Sequence, residues 1–351
     1  MKSFTTSDIR LWVLAAGISL SLMSGASFAQ QPNAAALPKV ESANIMDIGR
    51  AADASPQAQI EAAKNQPGNN APIWRTVNSD TPNFVNGPVT ERGVLIQKSG
   101  QQWRLIRNGV ITVFGAWLLA FAFFGVLAMY VLRGPIKLHE PLSGTKIKRF
   151  TDLERYTHWT MAFSFVALAF TGLLILYGKF FALPVMGGTL FGIFLFICKN
   201  IHNFVGPLFT LSIIVFFFLF VRKNMLEPDD MAWIKSFGGL LSGKHVPSGF
   251  FNFGEKFWFW FGMVFLGLIV SGSGWVLDMI VPVPGIEYWR GTMQVADIIH
   301  ASAALLMTAM AMGHIYIGTI GMQGSIDGMK TGYVDAAWAK EHHEVWYNKV
   351  K

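Results

Sequence analysis

Five long apolar runs constrain this chain more than any other feature of its sequence. They cover residues 110–132, 159–177, 201–221, 257–277 and 298–320. Each run is about long enough to cross the hydrocarbon core of a bilayer as a helix. Only 14% of the 351 residues are charged, against about 25% in ordinary soluble domains. The sequence therefore predicts an all-α integral membrane protein and excludes an ordinary soluble enzyme.

The segment before the first run has a different composition. Residues 1–29 resemble a secretory signal peptide, because Lys2 and Arg10 precede an apolar stretch that ends in small residues at Ser27 and Ala29. The alternative for this segment is an uncleaved N-terminal anchor. Residues 30–109 begin rich in Gln, Asn, Ala and Pro, which is too polar for a core of their own. We expect a mostly extended, partly disordered arm with one hairpin, which docks on a partner.

Lysine and arginine counts predict the topology. Residues 133–156, 222–256 and 321–351 carry 6, 5 and 4 of them, whereas residues 178–199 and 282–295 carry 2 and 1. Because positively charged loops stay in the cytoplasm, the arm is expected to be periplasmic and the C-terminus cytoplasmic. The net charge of +7 thus reflects topology, and a nucleic-acid partner is excluded.

The predicted domain order follows from these boundaries. An extra transmembrane helix (110–132) and a cytoplasmic linker (133–156) precede a four-helix bundle (157–321) and a partly helical cytoplasmic tail (322–351). The short apolar stretch 190–197 is expected to be interfacial or re-entrant, and Pro207 is expected to kink its helix.

The single cysteine, Cys198, narrows the chemistry. One cysteine cannot form a disulfide scaffold within the chain. It also excludes a covalently attached c-type haem and a cysteine-ligated iron–sulfur cluster held by this chain alone.

The eight histidines fall into two groups. His139, His245, His342 and His343 lie in loops or the tail and are expected to be solvated. The other four lie in the apolar runs or at their ends: His158, His202, His300 and His314. An ionisable side chain inside a span is costly and indicates a functional site, although an interhelical hydrogen bond is the simpler alternative for any one of them.

Helix geometry pairs these four histidines by depth. His300 and His314 are fourteen residues apart on one helix, so their rings leave the same face about 21 Å apart along the axis. From the predicted topology, His202 lies near the outer surface with His300, and His158 lies near the inner surface with His314. Two imidazoles that bind one metal from opposite sides bring their nitrogens to about 4 Å, which only partners at matched depth can reach.

Haem fits such pairs better than a bare metal ion does. A structural zinc would require four ligands, and neither depth offers a cysteine or a carboxylate. Haem supplies four nitrogens of its own and takes two axial ligands from the protein. Gly172, Gly206, Gly313 and Gly318 offer places where a macrocycle can approach the backbone, or alternatively where helices pack closely. Two histidines on one iron leave no open position, which indicates electron transfer to a lipid-soluble acceptor such as a quinone.

The sequence resembles a known family, the gamma (cytochrome b) subunit of membrane-bound respiratory formate dehydrogenases. Four segments carry the resemblance: 149–159 (RFTDLERYTHW), 200–203 (NIHN), 252–256 (NFGEK) and 297–314, from Asp297-Ile-Ile-His300 to Gly313-His314. The resemblance covers residues 145–325, and the segment 100–109 with the added first span is similar to a longer, signal-bearing branch of the family.

The resemblance implies two b haems held by these four histidines and a quinone, menaquinone or ubiquinone, reduced beside the inner haem. It implies that Asn252, His314 and the Gly254 backbone bind the quinone, and that no residue of this chain oxidises formate. It also implies an iron–sulfur beta subunit and a molybdenum- or tungsten-containing alpha subunit as partners, in a bacterial inner membrane.

Several nearby polar residues remain open to more than one interpretation. Asn252 and Glu255 also form a capping-box pattern. Asp152, Glu154 and Glu255 are expected to be solvated acids at helix starts, with proton relay as the alternative. Haem propionate partners are plausible by depth at Arg155, Lys199 and Arg290.

Three rival functions fit parts of the pattern. A cytochrome b subunit of a nickel–iron hydrogenase or of a thiosulfate-type reductase would share the spans, the haems and the quinone site. A haem or metal transporter would use the histidines as transit sites but would need a more polar pathway. A structural anchor would leave four costly histidines at matched depths unexplained.

Overall fold

The computed structural model describes residues 83–84, 94–96, 98–236, 238, 246–279 and 290–351. The predicted signal peptide, most of the predicted arm and His245 lie outside them. The helices are α1 (Lys98–Leu105), α2 (Gly115–Arg133), α3 (Asp152–Phe220), α4 (Asp230–Lys235), α5 (Phe253–Phe257), α6 (Gly267–Asp278), α7 (Arg290–Tyr316), α8 (Ser325–Thr331), α9 (Ala336–His342) and α10 (Glu344–Val350). Three π-helical stretches, Ile106–Phe114, Trp258–Leu266 and Ile317–Gly321, and one 3-10 turn, Val221–Asn224, continue these helices. Two antiparallel strand pairs complete the described part, β1 (Asn83–Phe84) with β2 (Val94–Ile96) and β3 (Lys146–Lys148) with β4 (Tyr333–Asp335).

Four helical stretches are long and apolar enough to cross a membrane. They are Gly100–Arg133, Asp152–Asn224, Phe253–Asp278 and Gly291–Gly321. Between them they contain all five predicted apolar runs, because the 73-residue second stretch includes both 159–177 and 201–221. The protein is therefore a helical integral membrane protein.

The long helix α3 is a hairpin of two antiparallel halves. Its backbone leaves helical geometry at Gly187, where φ is 72°, a left-handed region that favours glycine. The two halves then pack against each other. The rings of Phe165 in the first half and Phe209 in the second have centroids 6.0 Å apart. Residues 190–197, expected to be interfacial or re-entrant, form the start of the second half. The helix also continues through Pro207, so its sharp turn is at Gly187 instead.

Both halves of α3 join two further helices in one bundle. The buried core takes Met161 from the first half of α3 and Phe209 from the second. The π-helical stretch before α6 contributes Met263, and α7 contributes Met307. The four-helix bundle thus forms from α3 counted twice, α6 with its preceding turns, and α7. We call the Gly187 side of the bundle the turn end, and the side carrying residues 322–351 the tail end.

The additional helix α2 and its preceding turns pack against the outside of this bundle. Tyr177 donates its hydroxyl proton to the Thr112 carbonyl at 3.0 Å, and Ile111 is buried beside Leu305. A Cβ on Gly115 would lie 2.5 Å from Leu305, so a glycine is needed where the two helices approach. Helical structure starts at Lys98, earlier than the arm boundary at residue 109 expected from the sequence.

The predicted linker and tail form one small structure at the tail end. Strand β3 of the linker pairs with β4 of the tail, with Ile147 opposite Val334. Beneath this pair a core of Val334, Trp338 and Trp346 is buried. The tail is helical as expected, but its strand pairing with the linker was not foreseen.

Two capping boxes start helices at the tail end. Thr151 caps α3 with Glu154 at its third position, and Asn252 caps α5 with Glu255 in the same place. The predicted capping box at Asn252 is therefore confirmed. Glu154 is 5% exposed and pairs with Lys223, so the expectation that it is a solvated acid was wrong.

Asp335 holds the linker against the tail, and its replacement by alanine should loosen both. Its carboxylate accepts hydrogen bonds from the Ser143 amide and hydroxyl, the Gly144 amide and the Ala337 amide at 2.9–3.0 Å. Losing a helix cap and these buried bonds costs about 2–4 kcal/mol. Hydrogen exchange of residues 322–351 should become correspondingly faster. The control Asp229→Ala removes an aspartate whose side chain makes no capping bond and should leave exchange unchanged.

The same site predicts an acid dependence. Burial alone would raise the pKa of Asp335, but the four hydrogen bonds outweigh it and hold the pKa below its usual 3.8. A depressed folded-state pKa gives stabilisation that is complete above the unfolded value and is lost as pH falls through the folded one. Tail exchange in the parent should therefore accelerate below pH 3.8, and in Asp335→Ala this acceleration should be weaker. Equal acid sensitivity in both proteins would contradict this.

Candidate functional site

The four histidines of the apolar runs lie in two pairs inside the bundle. The rings of His158 and His314 have centroids 6.4 Å apart, and those of His202 and His300 are 6.0 Å apart. We call the first the tail-end pair and the second the turn-end pair. Each pair takes one histidine from a different half of α3 and one from α7.

The α3 hairpin and the straight α7 produce this arrangement. Folding at Gly187 carries His158 and His202 to different depths on opposite halves of α3. On α7, fourteen residues separate His300 from His314, which places them on one face about 21 Å apart along the axis. The two sites therefore stand one above the other along the bundle.

Hydrogen bonds orient both rings of the turn-end pair. His300 Nδ1 lies 3.0 Å from the Val270 carbonyl oxygen, which can only accept, so Nδ1 carries the proton. His202 Nδ1 lies 2.9 Å from Thr171 Oγ1, whose own proton is donated to the Ala167 carbonyl. Thr171 therefore accepts from His202. In both rings Nε2 is left with its lone pair free, the state in which histidine binds a metal.

The tail-end pair lines a large cavity. The cavity has a volume of about 1000 Å³ and is bounded by His158, His314, Trp258 and Met310 among others. Trp258 stacks on the His314 ring with 5.0 Å between centroids. His158 Nδ1 is buried and, among the described residues, has no hydrogen-bond partner. A buried ring nitrogen without a partner is costly in a purely structural site.

These pairs have the geometry that haem requires. With a metal–nitrogen bond of about 2 Å, two imidazoles on opposite faces of one iron have ring centroids about 6 Å apart. Both observed separations agree with this value. Within the described residues no three His, Cys, Asp or Glu side chains gather as a metal site, so each pair offers two ligands, the number that haem needs.

Glycines leave room beside the rings. A Cβ on Gly172 would lie 3.2 Å from His202, and one on Gly274 would lie 3.3 Å from His300. Gly206, Gly313 and Gly318 would meet no atom within 4 Å. Gly172 thus serves close packing against a histidine ring, whereas the other three predicted glycines border open space. Gly274 was not singled out from the sequence.

Asn252 and Gly254 line the same cavity as the tail-end pair. The Asn252 side-chain oxygen accepts the capping bond from the Glu255 amide at 3.0 Å, and the side-chain nitrogen takes no part in that bond. Gly254 lies close to Trp233, since a Cβ there would come within 2.9 Å of the indole. The structure therefore gathers Asn252, Gly254 and His314 around one space.

The residues named as propionate partners have different surroundings. Arg155 is engaged by its own chain, donating to the Met329 and Lys330 carbonyls and to Asp152. Lys199 is exposed at the protein surface. The Arg290 side chain lies outside the described residues.

Sequence reasoning missed a buried charged cluster at this cavity. Arg149 is 6% exposed and His343 only 1%, and both line the cavity with Glu255. The expectation that His343 is solvated was therefore wrong, whereas the His139 side chain is 79% exposed as expected. The aromatic residues around Arg149 could have indicated its burial. They come from three separate segments of the sequence, so their proximity was not apparent.

Histidine pairs held inside a membrane helix bundle define the class of b-type cytochromes. The sequence model of the family described as prokaryotic cytochrome b561 matches residues 149–332, which is more than half of the chain. The chain belongs to this family, and membership implies haem b.

Relatives of this chain include subunits of formate dehydrogenases. The cytochrome b556(fdo) subunit of formate dehydrogenase from Escherichia coli K12 is 32% identical over 216 residues, covering 58% of this chain and 93% of that protein. The formate dehydrogenase cytochrome b556 subunit of Haemophilus influenzae Rd is 28% identical over 218 residues, covering 58% and 84%. The nitrate-inducible E. coli K12 subunit, cytochrome b556(Fdn), is 27% identical over 218 residues, covering 58% and 92%.

Proposed function

We propose that this chain is the di-haem membrane subunit of a formate dehydrogenase complex. In this function it passes electrons from formate oxidation on the periplasmic side to a quinone reduced on the cytoplasmic side. The observation that carries the proposal is the presence of two histidine pairs, at haem spacing and at two depths of one bundle. The names of the relatives support formate dehydrogenase as the source of electrons.

The chain's own residues have distinct tasks in this proposal. His202 and His300 hold the outer haem, and His158 and His314 hold the inner one; haem supplies an iron that is reversibly reduced and oxidised. Thr171, Ser273 and Val270 orient the outer ligands through hydrogen bonds at Nδ1. The buried apolar bundle excludes water between the two sites. An iron–sulfur beta subunit and a molybdenum- or tungsten-containing alpha subunit would oxidise formate, which this chain cannot do alone.

The cavity at the tail end is the proposed quinone site. It is large enough for a quinone headgroup beside the inner pair, and Asn252, Gly254 and His314 face it together. The distribution of lysine and arginine supports placing this end in the cytoplasm of a bacterial inner membrane. Electrons would then move inward across the membrane, where each charge crossing about 100 mV is worth about 2.3 kcal/mol.

Haem content and formate-driven reduction test the proposal together. The full chain is expressed together with the proposed alpha and beta subunits, and haem is counted per polypeptide in the purified complex. We expect two b haems, reduced by added formate and reoxidised by a quinone analogue. A complex whose haems respond to hydrogen or thiosulfate instead would assign the chain to another donor enzyme. A chain free of haem would overturn the electron-transfer function.

A further inference from the structure

A buried cluster of Arg149, Glu255 and His343 forms part of the wall of the tail-end cavity. The Arg149 guanidinium lies 3.6 Å from Glu255, and His343 Nε2 lies 3.9 Å from the other oxygen of the same carboxylate. The Arg149 and His343 side chains are each 2% exposed. None of these residues is needed to hold haem in the proposed function, so the cluster requires its own explanation.

Arg149 is a permanent charge in an apolar setting. Five aromatic rings surround its guanidinium at 4.8–5.7 Å, from Phe150, Phe250, Phe251, Trp338 and Trp346. It donates to the Phe250 carbonyl at 2.8 Å. Burial lowers the pKa of Arg149 to about 10, with Glu255 acting in the opposite direction, so Arg149 stays charged at neutral pH. Arg149 therefore places a fixed positive charge 3.6 Å from the Glu255 carboxyl group.

His343 presents a free nitrogen to this carboxylate. Its Nδ1 lies 3.0 Å from the Gly249 carbonyl, which accepts only, so Nδ1 carries the proton and Nε2 faces Glu255. Burial first, and then the charge of Arg149, hold the pKa of His343 well below 6.5, against the opposing hydrogen bond to Gly249. His342 acts in the same direction as Arg149. At neutral pH His343 is therefore an uncharged base that accepts a proton only in transit.

Glu255 is the member of the cluster that opens to the cavity. Its side chain is 39% accessible, and it lines the cavity together with Asn252, His158 and His314. One oxygen accepts the capping bond from the Asn252 amide at 2.8 Å, so the carboxyl group is fixed beside the residue proposed to bind the quinone. A group so placed is within reach of a bound ligand.

A hydrogen-bonded pair of side chains lies at the exposed part of the same cavity wall. His139, with 79% of its side chain exposed, bonds through Nδ1 to Glu341 at 2.9 Å. Glu341, His342 and His343 are consecutive residues, and all three line the cavity. The cavity wall therefore carries ionisable groups both at exposed His139 and at Glu255.

We propose that Glu255 and His343 deliver protons to the quinone in the tail-end cavity, an inference that rests on the proposed function. For each proton, the O–H bond of the Glu255 carboxylic acid breaks and a new O–H bond forms on a quinone oxygen. Nε2 of His343 takes a proton from solvent that enters the cavity, whose wall includes His342 and Glu341, and then passes this proton to the Glu255 carboxylate. Two such transfers and two electrons, which formate supplies through the inner histidine pair, convert quinone to quinol. The 3.9 Å gap exceeds a hydrogen bond, so transfer requires His343 to approach Glu255 by about 1 Å.

The chain supplies a matched control for this proposal. Glutamine serves as well as glutamate at the third position of a capping box, so Glu255→Gln keeps the helix start and removes the transferable proton. Glu154→Gln makes the same change in the other capping box. Glu154 is likewise paired with a cation, but it is buried and is not among the residues that line the cavity.

The experiment measures oxidation of the reduced haems by a quinone in the purified complex. The complex is reduced with dithionite and mixed with menadione in a stopped-flow instrument, without formate, from pH 6 to 9. In Glu255→Gln we expect oxidation to slow by about 10²-fold, with the two haems retained and the rate partly restored by acetate. His343→Gln should give a normal rate at low pH that falls more steeply with rising pH than in the parent. Glu154→Gln should follow the parent throughout.

The outcomes separate this proposal from the proposed function. If Glu255→Gln and Glu154→Gln oxidise alike at every pH, Glu255 is not the proton donor. A Glu255→Gln protein that loses haem leaves the decision to His343→Gln, whose unchanged pH profile would overturn the relay. If the parent holds two haems that quinone does not oxidise, the quinone function itself fails and this proposal with it.

Discussion

Replacing His202 with alanine is expected to remove one of two haems and to stop electron transfer from formate to quinone. His202 and His300 are the only protein groups proposed to hold the outer iron, and one imidazole cannot supply both axial ligands. The tail-end pair is about 20 Å away along the bundle, so its haem should stay. Formate-driven quinone reduction should fall at least about 10²-fold, because the route from the donor is interrupted.

Haem counting and optical difference spectra measure this result. His314→Ala should remove the other haem and leave the outer one reducible by formate. The control Asn200→Ala changes a side chain on the same half of α3 that bonds to its own helix at the Phe196 carbonyl, and it should keep both haems. Loss of the same haem in His202→Ala and His314→Ala would show that the pairs do not act as separate sites.

Replacing Lys256 with alanine should lower the stability of the tail end more than any other single substitution there. Its ammonium is fully buried and lies 2.9 Å from Glu227 and 2.9–3.0 Å from Asp230. Replacing it with alanine leaves the buried Asp230 carboxylate without its cation. Removing one partner of a buried ion pair costs about 3–5 kcal/mol.

The consequence of this loss should reach the cavity. Lys256 connects α5 to Asp230 at the start of α4. Asn252 caps α5, and α5 leads directly into Trp258 beside His314. We therefore expect Lys256→Ala to unfold at lower denaturant and to retain less of the inner haem than of the outer one. Lys235→Ala, which removes an exposed lysine at the end of α4, is the control. Equal unfolding of the two variants would show that the buried ion pair is not stabilising.

The sequence was sufficient for features that depend on helix periodicity. The spacing of His300 and His314 fixes their common face without any knowledge of the fold, and the lengths of the apolar runs predict the helices. The capping box at Asn252 and Glu255 is likewise local, because all its partners lie within four residues.

Features that depend on long-range contacts could not be read in this way. The aromatic rings around Arg149 belong to residues 150, 250, 251, 338 and 346. No single stretch of sequence therefore indicates that this arginine is buried. His343 looked like a solvated tail residue because its partners Gly249 and Glu255 lie far away in the sequence, Gly249 by 94 residues. The continuity of 190–197 with 201–221 was likewise not apparent from the sequence, because it depends on the position of the turn at Gly187.

Because one rigid helix carries a ligand of each pair, the distance between the two sites is set in discrete steps. Adding a single residue to α7 between His300 and His314 would rotate one ligand by about 100° relative to the other and remove it from its partner. Only changes near whole turns, about 5.4 Å each, would preserve both pairs. The distance between the tail-end pair and the turn-end pair can therefore change only in steps of about one helical turn.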